Sequence, residues 1–338
     1  MFLYRKLLGS HRKKLLCVWI TLSLSTFVWL YYGAKRTSIE PSLQHFRRDR
    51  NLTHYMNTIP LLTEPYSTPC DSLSDIPLLV MVASTPNRFE HRDVIRTTWG
   101  QHVPTYFLLG LNNGHTELAS LDLEANQYND LIVYDFQDHY QNLTLKTALM
   151  LRWTQNRCSS VGFLLKTDDD VLVNPWIMSD LVNEHINAKL IGYKYYNVWP
   201  YRGEYDKWYL PRWLYQPDFV PQYLLGAAYL INGKYVKAIL DAASQAPLIN
   251  IEDIYFTYLV ARARLGLELT HDDRLSPYRH WLLMPCIYWP FAISHDLDLE
   301  ETVKVWQGLV GIATEYDHNK EICSFYIKLS RLVSFSKS

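Results

Sequence analysis

Three carboxylates in a row follow an apolar run in Lys166-Thr167-Asp168-Asp169-Asp170-Val171-Leu172-Val173-Asn174. Like charges at that range repel one another, and one compensation is a divalent cation. In an extended chain Asp168 and Asp170 point to the same side, so both can reach one cation or its ligands. Hard oxygen donors favour magnesium or manganese, and a cation held by few protein groups is completed by phosphate oxygens. The same triplet would also serve as a solvated acidic turn before a helix starting near Pro175.

Other residues offer further chemistry. Arg88, Arg92 and Arg96, spaced by four, put three guanidinium groups on one helix face, suited to a diphosphate or to the acidic triplet, or to solvent as a basic stripe. Glu252-Asp253 is an acidic pair whose plain structural role is to favour the N-terminus of a helix over 252–265, by under about 1 kcal/mol. Twelve aromatic residues lie between Tyr193 and Tyr223, among them Trp199, Tyr201, Trp208 and Trp213. Rings with polar edges suit the apolar faces and hydroxyls of sugars, and serve equally as packing over a sheet. Gly226, in Leu225-Gly226-Ala227, permits close backbone approach.

These residues need a scaffold. Leu78–Ala83, Tyr106–Leu109, Leu131–Tyr134 and Gly162–Lys166 read as strands, with helix-length stretches at 88–98, 116–127 and 143–156 between them. That alternation predicts an α/β fold with a parallel, doubly wound sheet whose ligands sit at the carboxyl ends of the strands. No G-x-G-x-x-G or G-K-[ST] loop is present. At 338 residues, 48% hydrophobic and 20% charged, the chain is neither wholly disordered nor a polytopic membrane protein.

The formal charge of −1 hides an uneven distribution. Arg5, Lys6, Arg12, Lys13 and Lys14 precede any acid, leaving 28 of the 33 basic residues to set against all 34 acids. Residues 15–34 carry no charge, and twenty helical residues span about 30 Å, the thickness of a bilayer core. The apolar run is longer than a signal peptide's and lacks its A-x-A-like exit. The basic tail then stays cytosolic, with Trp19, Trp29, Tyr31 and Tyr32 as interfacial anchors. The expected organisation is a cytosolic tail over 1–14, a single transmembrane signal-anchor over 15–34, a polar, Pro-containing luminal stem over 35–76, and a luminal domain over 77–338. Beyond Cys17, the cysteines Cys70, Cys158, Cys286 and Cys323 allow two disulfides in any of three pairings. Asn51 and Asn142 open glycosylation sequons.

Arg92 to Gly100, Phe107-Leu108-Leu109-Gly110, Asp138 to Thr147, Lys166 to Asn174 and Glu252-Asp253-Ile254-Tyr255, in that order, resemble the motif series of the β1,3-glycosyltransferases of glycosyltransferase family 31. The resemblance runs from about residue 78 to 311. Lys207-Trp208-Tyr209, Ser294-His295, Glu300-Glu301 and Trp306 are most similar to the β1,3-galactosyltransferase and Brainiac-like β1,3-N-acetylglucosaminyltransferase branch. It implies a type A glycosyltransferase fold, a Rossmann-like, mostly parallel sheet with flanking helices. It also implies an inverting, Golgi, type II enzyme with a UDP-sugar donor, manganese or magnesium, and a glycan acceptor on glycoprotein or glycolipid. No nucleic acid is a partner, and a homodimer is compatible.

Residue by residue, the resemblance implies Asp170 as direct metal ligand, Asp168 near the nucleotide ribose and the metal, and Asp169 beside the donor. It puts His295 on the metal or diphosphate. Arg92, Arg96 and Lys146 would contact the donor, Asp253 would be the base, and Glu252 and Trp208 would meet the acceptor. Two positions depart from the family: His139 replaces a usual serine and Thr257 a common glycine. Galactose is the first expectation for the donor sugar, with N-acetylglucosamine and N-acetylgalactosamine as alternatives. A non-catalytic, membrane-anchored glycan-binding relative and a metal-dependent phosphohydrolase are the other classes.

Overall fold

In the computed structural model the described residues are 18–27, 37–72, 76–280, 282–314 and Cys323. Six consecutive apolar residues, Leu78–Ala83, form strand β2, buried along its whole length. An unbroken apolar run suits a strand covered on both faces. Here Leu79 and Met81 enter one core while Leu78, Val80 and Val82 enter the other.

Before β2 come helices α1 (Gln44–Arg48) and α2 (Leu52–Thr58) and strand β1 (Leu61–Thr63). After it follow α3 (Phe89–Thr97), β3 (Thr105–Leu111), α4 (Leu118–Tyr128), β4 (Leu131–Gln137), α5 (Leu143–Arg157) and β5 (Phe163–Asp168). The second half holds β6 (Val171–Val173), α6 (Pro175–Glu184), β7 (Leu190–Val198), β8 (Val220–Asn232) and α7 (Gly233–Ala243). A π-helix over Ile254–Arg264, β9 (Leu269–His271), α8 (Pro285–Tyr288), β10 (Ile293–His295) and α9 (Leu299–Thr314) follow, and short 3-10 turns join several of these elements. The strands and helices read from hydrophobic periodicity up to residue 168 are all present, with ends moved by a few residues.

The main sheet runs β1-β4-β3-β2-β5-β8-β7-β9. Four of its seven pairings are parallel, β2 with β3 and β5, β3 with β4, and β7 with β9. The long central partners β5·β8 and β7·β8 are antiparallel, so the sheet is mixed. Helix α5, α7 and the π-helix cover one face; α3, α4, α6 and α9 cover the other. The chain leaves β2 for β3 on one side and returns to β5 on the other. A crevice therefore opens at the carboxyl ends of β2 and β5, where the strand order reverses. β6 and β10 pair in a separate two-stranded sheet beside it, with His295 opposite Val171.

The segment expected to be a stem departs from that reading. Leu43, Phe46 and Leu52 are fully buried, and β1 adds an antiparallel edge strand to β4. Arg50 donates to the carbonyls of Leu248 and Leu214 at 2.8 and 2.9 Å. The apolar residues are too few to show a helical period, and their partners lie far along the chain, so local sequence hides the packing. At the other extreme, residues 18–27 are helical, but among the described residues no helix is long and apolar enough to cross a membrane. The tail over 1–14 and the rest of the anchor lie outside the described residues. Of the three pairings, the cysteines adopt Cys70–Cys158 and Cys286–Cys323.

If residues 43–52 belong to the core, Phe46→Ala lowers the unfolding free energy by about 3–5 kcal/mol, the usual cost of a large buried ring. Denaturant unfolding measures it, and a loss under about 1 kcal/mol would return the segment to a stem.

Candidate active site

β5 ends in the acidic triplet, and a lysine inside that buried strand organises it. Lys166 is almost wholly buried, and its Nζ donates to Asp168 Oδ1 at 2.7 Å and to the Gly226 carbonyl at 2.7 Å. Glu252 Oε2 lies 3.6 Å away. Burial pulls the Lys166 pKa down, but Asp168 and Glu252 overcome it and hold the ammonium charged, above the usual lysine range. Burial raises Asp168 and Glu252, with Lys166 opposing in both cases. Tyr229, paired with Lys166 across β8, donates its hydroxyl to Glu252 Oε1 at 2.5 Å. Sequence reasoning missed Lys166, although a charge inside an apolar strand is itself a signal.

The three aspartates take different surroundings. Asp169 is buried and accepts from Ser84 Oγ at 2.7 Å and Arg88 Nε at 2.9 Å. Asp170 Oδ1 is buried without a hydrogen bond, and His295 Nε2 stands 3.5 Å from it. Burial pushes Asp170 up, yet His295 and Arg88 bring it below the usual carboxylate range, while Asp170 raises the imidazole. The β6·β10 register produces this pairing by setting His295 beside Val171, next to Asp170. Among the described residues no group of three or more His, Cys, Asp and Glu side chains is arranged to hold a metal ion. An orphaned carboxylate oxygen beside an imidazole is nevertheless a donor set that fits manganese or magnesium completed by phosphate oxygens. Asp168, drawn to Lys166, stands next to that pair.

Asp253 caps the π-helix. Its Oδ1 accepts from the Ile254 N–H at 2.8 Å and its Oδ2 from the Gly226 N–H at 3.0 Å. A Cβ on Gly226 would lie 3.1 Å from that Oδ2, so the glycine allows backbone and carboxylate to meet. Burial and the neighbouring Glu252 push the Asp253 pKa up to about 7, against the two N–H donors and Lys166. A carboxylate tuned to that range is suited to accept a proton near neutral pH.

Two cavities adjoin at Asp253. One, of about 300 Å³, is lined by Asp168, Glu252, His295, Gly226, Asn250 and Tyr140 among others. The second, of about 310 Å³, is walled by Trp199, Tyr201, Tyr223, Leu210 and Val220. Tyr195, Trp208, Leu225 and Asp253 line both. Trp208 is half exposed at the shared mouth, where the aromatic segment was read as a sugar wall. Tyr215 and Tyr223 of that segment are buried, so it provides packing as well.

Three residues expected at the donor lie behind the crevice instead. Arg92 is fully buried and forks onto Glu124 with both contacts at 2.7 Å, also reaching Ser84 Oγ and the Thr85 carbonyl. Arg96 binds Glu124 and Asp130, its guanidinium 3.9 Å from the Tyr128 ring centre. Lys146 is buried against Asp138 at 2.7 Å and the Ser84 carbonyl at 2.6 Å. Arg92 and Lys146 thus hold Ser84, which in turn holds Asp169, so they position the crevice rather than line it. The helix periodicity placed Arg88, Arg92 and Arg96 on one face, but the acids that claim two of them, Glu124 and Asp130, follow at distances no local pattern reveals.

Asn142 is a correction. It is buried, and its Nδ2 donates to the Gln137 carbonyl at 2.9 Å, leaving no room for a glycan. Asn51 is exposed, its Oδ1 capping α2 through the Thr53 N–H.

The galactosyltransferase family profile matches residues 90–271. "Beta-1,3-galactosyltransferase 1" of Mus musculus and of Homo sapiens are each 30% identical over 265 residues, covering 74% of this chain and 78% of theirs. "Beta-1,3-galactosyltransferase 5" of Mus musculus is 27% identical over 241 residues, 69% of this chain and 78% of that one. A solved glycosyltransferase involved in glycosylation of the major capsid of PBCV-1 aligns at a TM-score of 0.38 and 11% identity, over 68% of this chain and 98% of its own.

A carboxyl so placed has a measurable signature. Carbon-13 NMR of aspartate-labelled protein should show one side-chain carboxyl titrating near pH 7 that disappears in Asp253→Asn. Every aspartate titrating below pH 5 would refute this tuning.

Proposed function

The chain belongs to the galactosyltransferase family and is a glycosyltransferase, and on that premise we propose that it moves galactose from UDP-galactose, in β1,3 linkage and with inversion, to an acceptor glycan on a glycoprotein or glycolipid. The observation that carries this reading is Asp253 at the junction of an acid- and imidazole-bearing cavity and an aromatic one. The first would take the UDP-sugar and the second the acceptor, with Trp208 on the wall between them; Glu252, expected at the acceptor, is instead buried on the acidic cavity's side against Tyr229 and Lys166.

Inversion is a single displacement. The acceptor oxygen bonds to the anomeric carbon as the bond from that carbon to the diphosphate breaks, and the hydroxyl proton passes to Asp253. Such a base is typically worth about 10²–10⁴ in rate. The Gly226 and Ile254 N–H groups fix the carboxylate's direction, and burial together with Glu252 keeps its pKa high enough to hold the proton. Lys166 offsets the mutual repulsion of Asp168 and Glu252. Asp170 and His295 are the side chains that would hold manganese or magnesium, with Asp168 beside them. Such an ion would supply charge neutralisation on the departing diphosphate. Asn51 is the accessible sequon.

The setting we infer is the Golgi membrane, with the N-terminus cytosolic and the domain luminal. The basic tail, the uncharged run over 15–34 and two disulfides support it.

Two variants separate the halves of the site. Asp170→Asn should lose manganese-dependent UDP binding by calorimetry, and unchanged affinity would remove Asp170 from the metal. Asp253→Asn should bind UDP with manganese normally while turnover, followed as UDP release with β-linked acceptors, falls by about 10² or more. Near-normal turnover would reassign the base.

A further inference from the structure

Thr257 carries a hydroxyl that is not idle. Thr257 is fully buried on the first turn of the π-helix. Its Oγ1 donates to the Asp253 backbone carbonyl at 2.6 Å and accepts from the Leu224 N–H at 2.9 Å. Two residues further along β8, the Gly226 N–H donates to Asp253 Oδ2 at 3.0 Å. The strand is therefore joined to Asp253 twice, once through the main chain by way of Thr257 and once through the carboxylate.

The local backbone explains why such a joint is needed. β8 pairs with β7 at Lys194↔Leu224 and resumes at Gly192↔Tyr229, so residues 225–228 bulge from the β7 ladder opposite residue 193, while Ala228 stays paired with Thr167 of β5 on the other side. Leu225, Gly226 and Ala227 of that bulge line the cavities. A bulge re-aims side chains but gives up ladder bonds that would otherwise fix it. On the other side, a π-helix is a wide, uncommon coil found mostly as short insertions at functional sites. Thr257 ties these two irregular segments together at the place where they meet.

We propose that Thr257 is a positioning residue for Asp253: its hydroxyl locks the β8 bulge to the π-helix so that the Gly226 N–H stays directed at the carboxylate. This rests on the reading of Asp253 as the base. Other titratable groups facing Asp253 are Glu252 beside it, Lys166 on β5, Tyr223 and Tyr229 on β8, and Tyr140 before α5, with Asp168 lining the same cavity. The two bonds of Thr257 go to main-chain atoms, so its removal acts on Asp253 through the Gly226 contact and not by changing that charge set.

The experiment compares Thr257→Val, Thr257→Ala and Thr257→Ser in the full chain, using UDP-galactose and a β-linked N-acetylglucosaminide. Valine and alanine should lower kcat about tenfold to a hundredfold, the range for a misplaced catalytic group, with KM for UDP-galactose within twofold. Losing an N–H donor to the carboxylate disfavours its charged form, so the Asp253 carboxyl, followed by carbon-13 NMR, should titrate at higher pH in both variants. Serine should restore rate and titration. Parental kcat and titration in a folded valine variant would overturn the proposal, as would serine as impaired as alanine. If valine does not fold, the alanine and serine pair carries the same contrast. The NMR readout needs no acceptor, so it still judges Thr257 if turnover by Asp253→Asn shows that the base lies elsewhere.

Discussion

A buried ammonium is the interaction on which the crevice depends. Lys166 sits in the middle of the sheet, and without its charge Asp168 and Glu252 would be two acids facing each other in a poorly solvated space. Burying an ion is costly unless it is paired and hydrogen-bonded. Lys166 meets that condition with one close carboxylate, a second at longer range and the Gly226 carbonyl. The same contact pins β8 at Gly226, whose N–H reaches Asp253. One side chain therefore organises the acidic end of β5, the bulged wall of β8 and, through Glu252, the start of the π-helix.

A second set of buried charges supports the first from behind. Arg92 and Lys146 converge on Ser84 at the end of β2, and Ser84 with Arg88 steadies Asp169. Asp169 is thus committed to the scaffold. Asp170, whose Oδ1 is left without a donor, turns towards His295, delivered from more than a hundred residues away by the β6·β10 pairing. Three adjacent identical residues acquire three roles because three different elements meet them.

The parts of this arrangement legible in the sequence are those with a short period or a contiguous motif. Strands β2 to β5, buried on both faces, read as apolar runs, and α3 to α5 fill the intervals between them. The acidic triplet and Glu252-Asp253 also stand out locally. What could not be read is partnership at long range. Arg92 looks like a ligand for an anion until Glu124 is found against it, and Lys146 until Asp138 is. Asn142 satisfies a three-residue sequon while its amide is consumed by Gln137. The segment around Phe46 looks polar and aperiodic because its few apolar residues pack on elements that come later. Thr257 appeared only as an odd substitution, since the Leu224 N–H it receives comes from β8, a separate element.

The wall shared by the two cavities bears on how specificity could be redesigned. Tyr195, Trp208, Leu225 and Asp253 touch both spaces, so a library at these positions would confound changes of one substrate with changes of the other. Val198, Leu210 and Val220 border only the aromatic cavity, while Ala227, Lys207 and Pro277 border only the acidic one. Those two sets form separable dials: each can be varied combinatorially to retune what one cavity accepts while the opposite cavity keeps its own private lining.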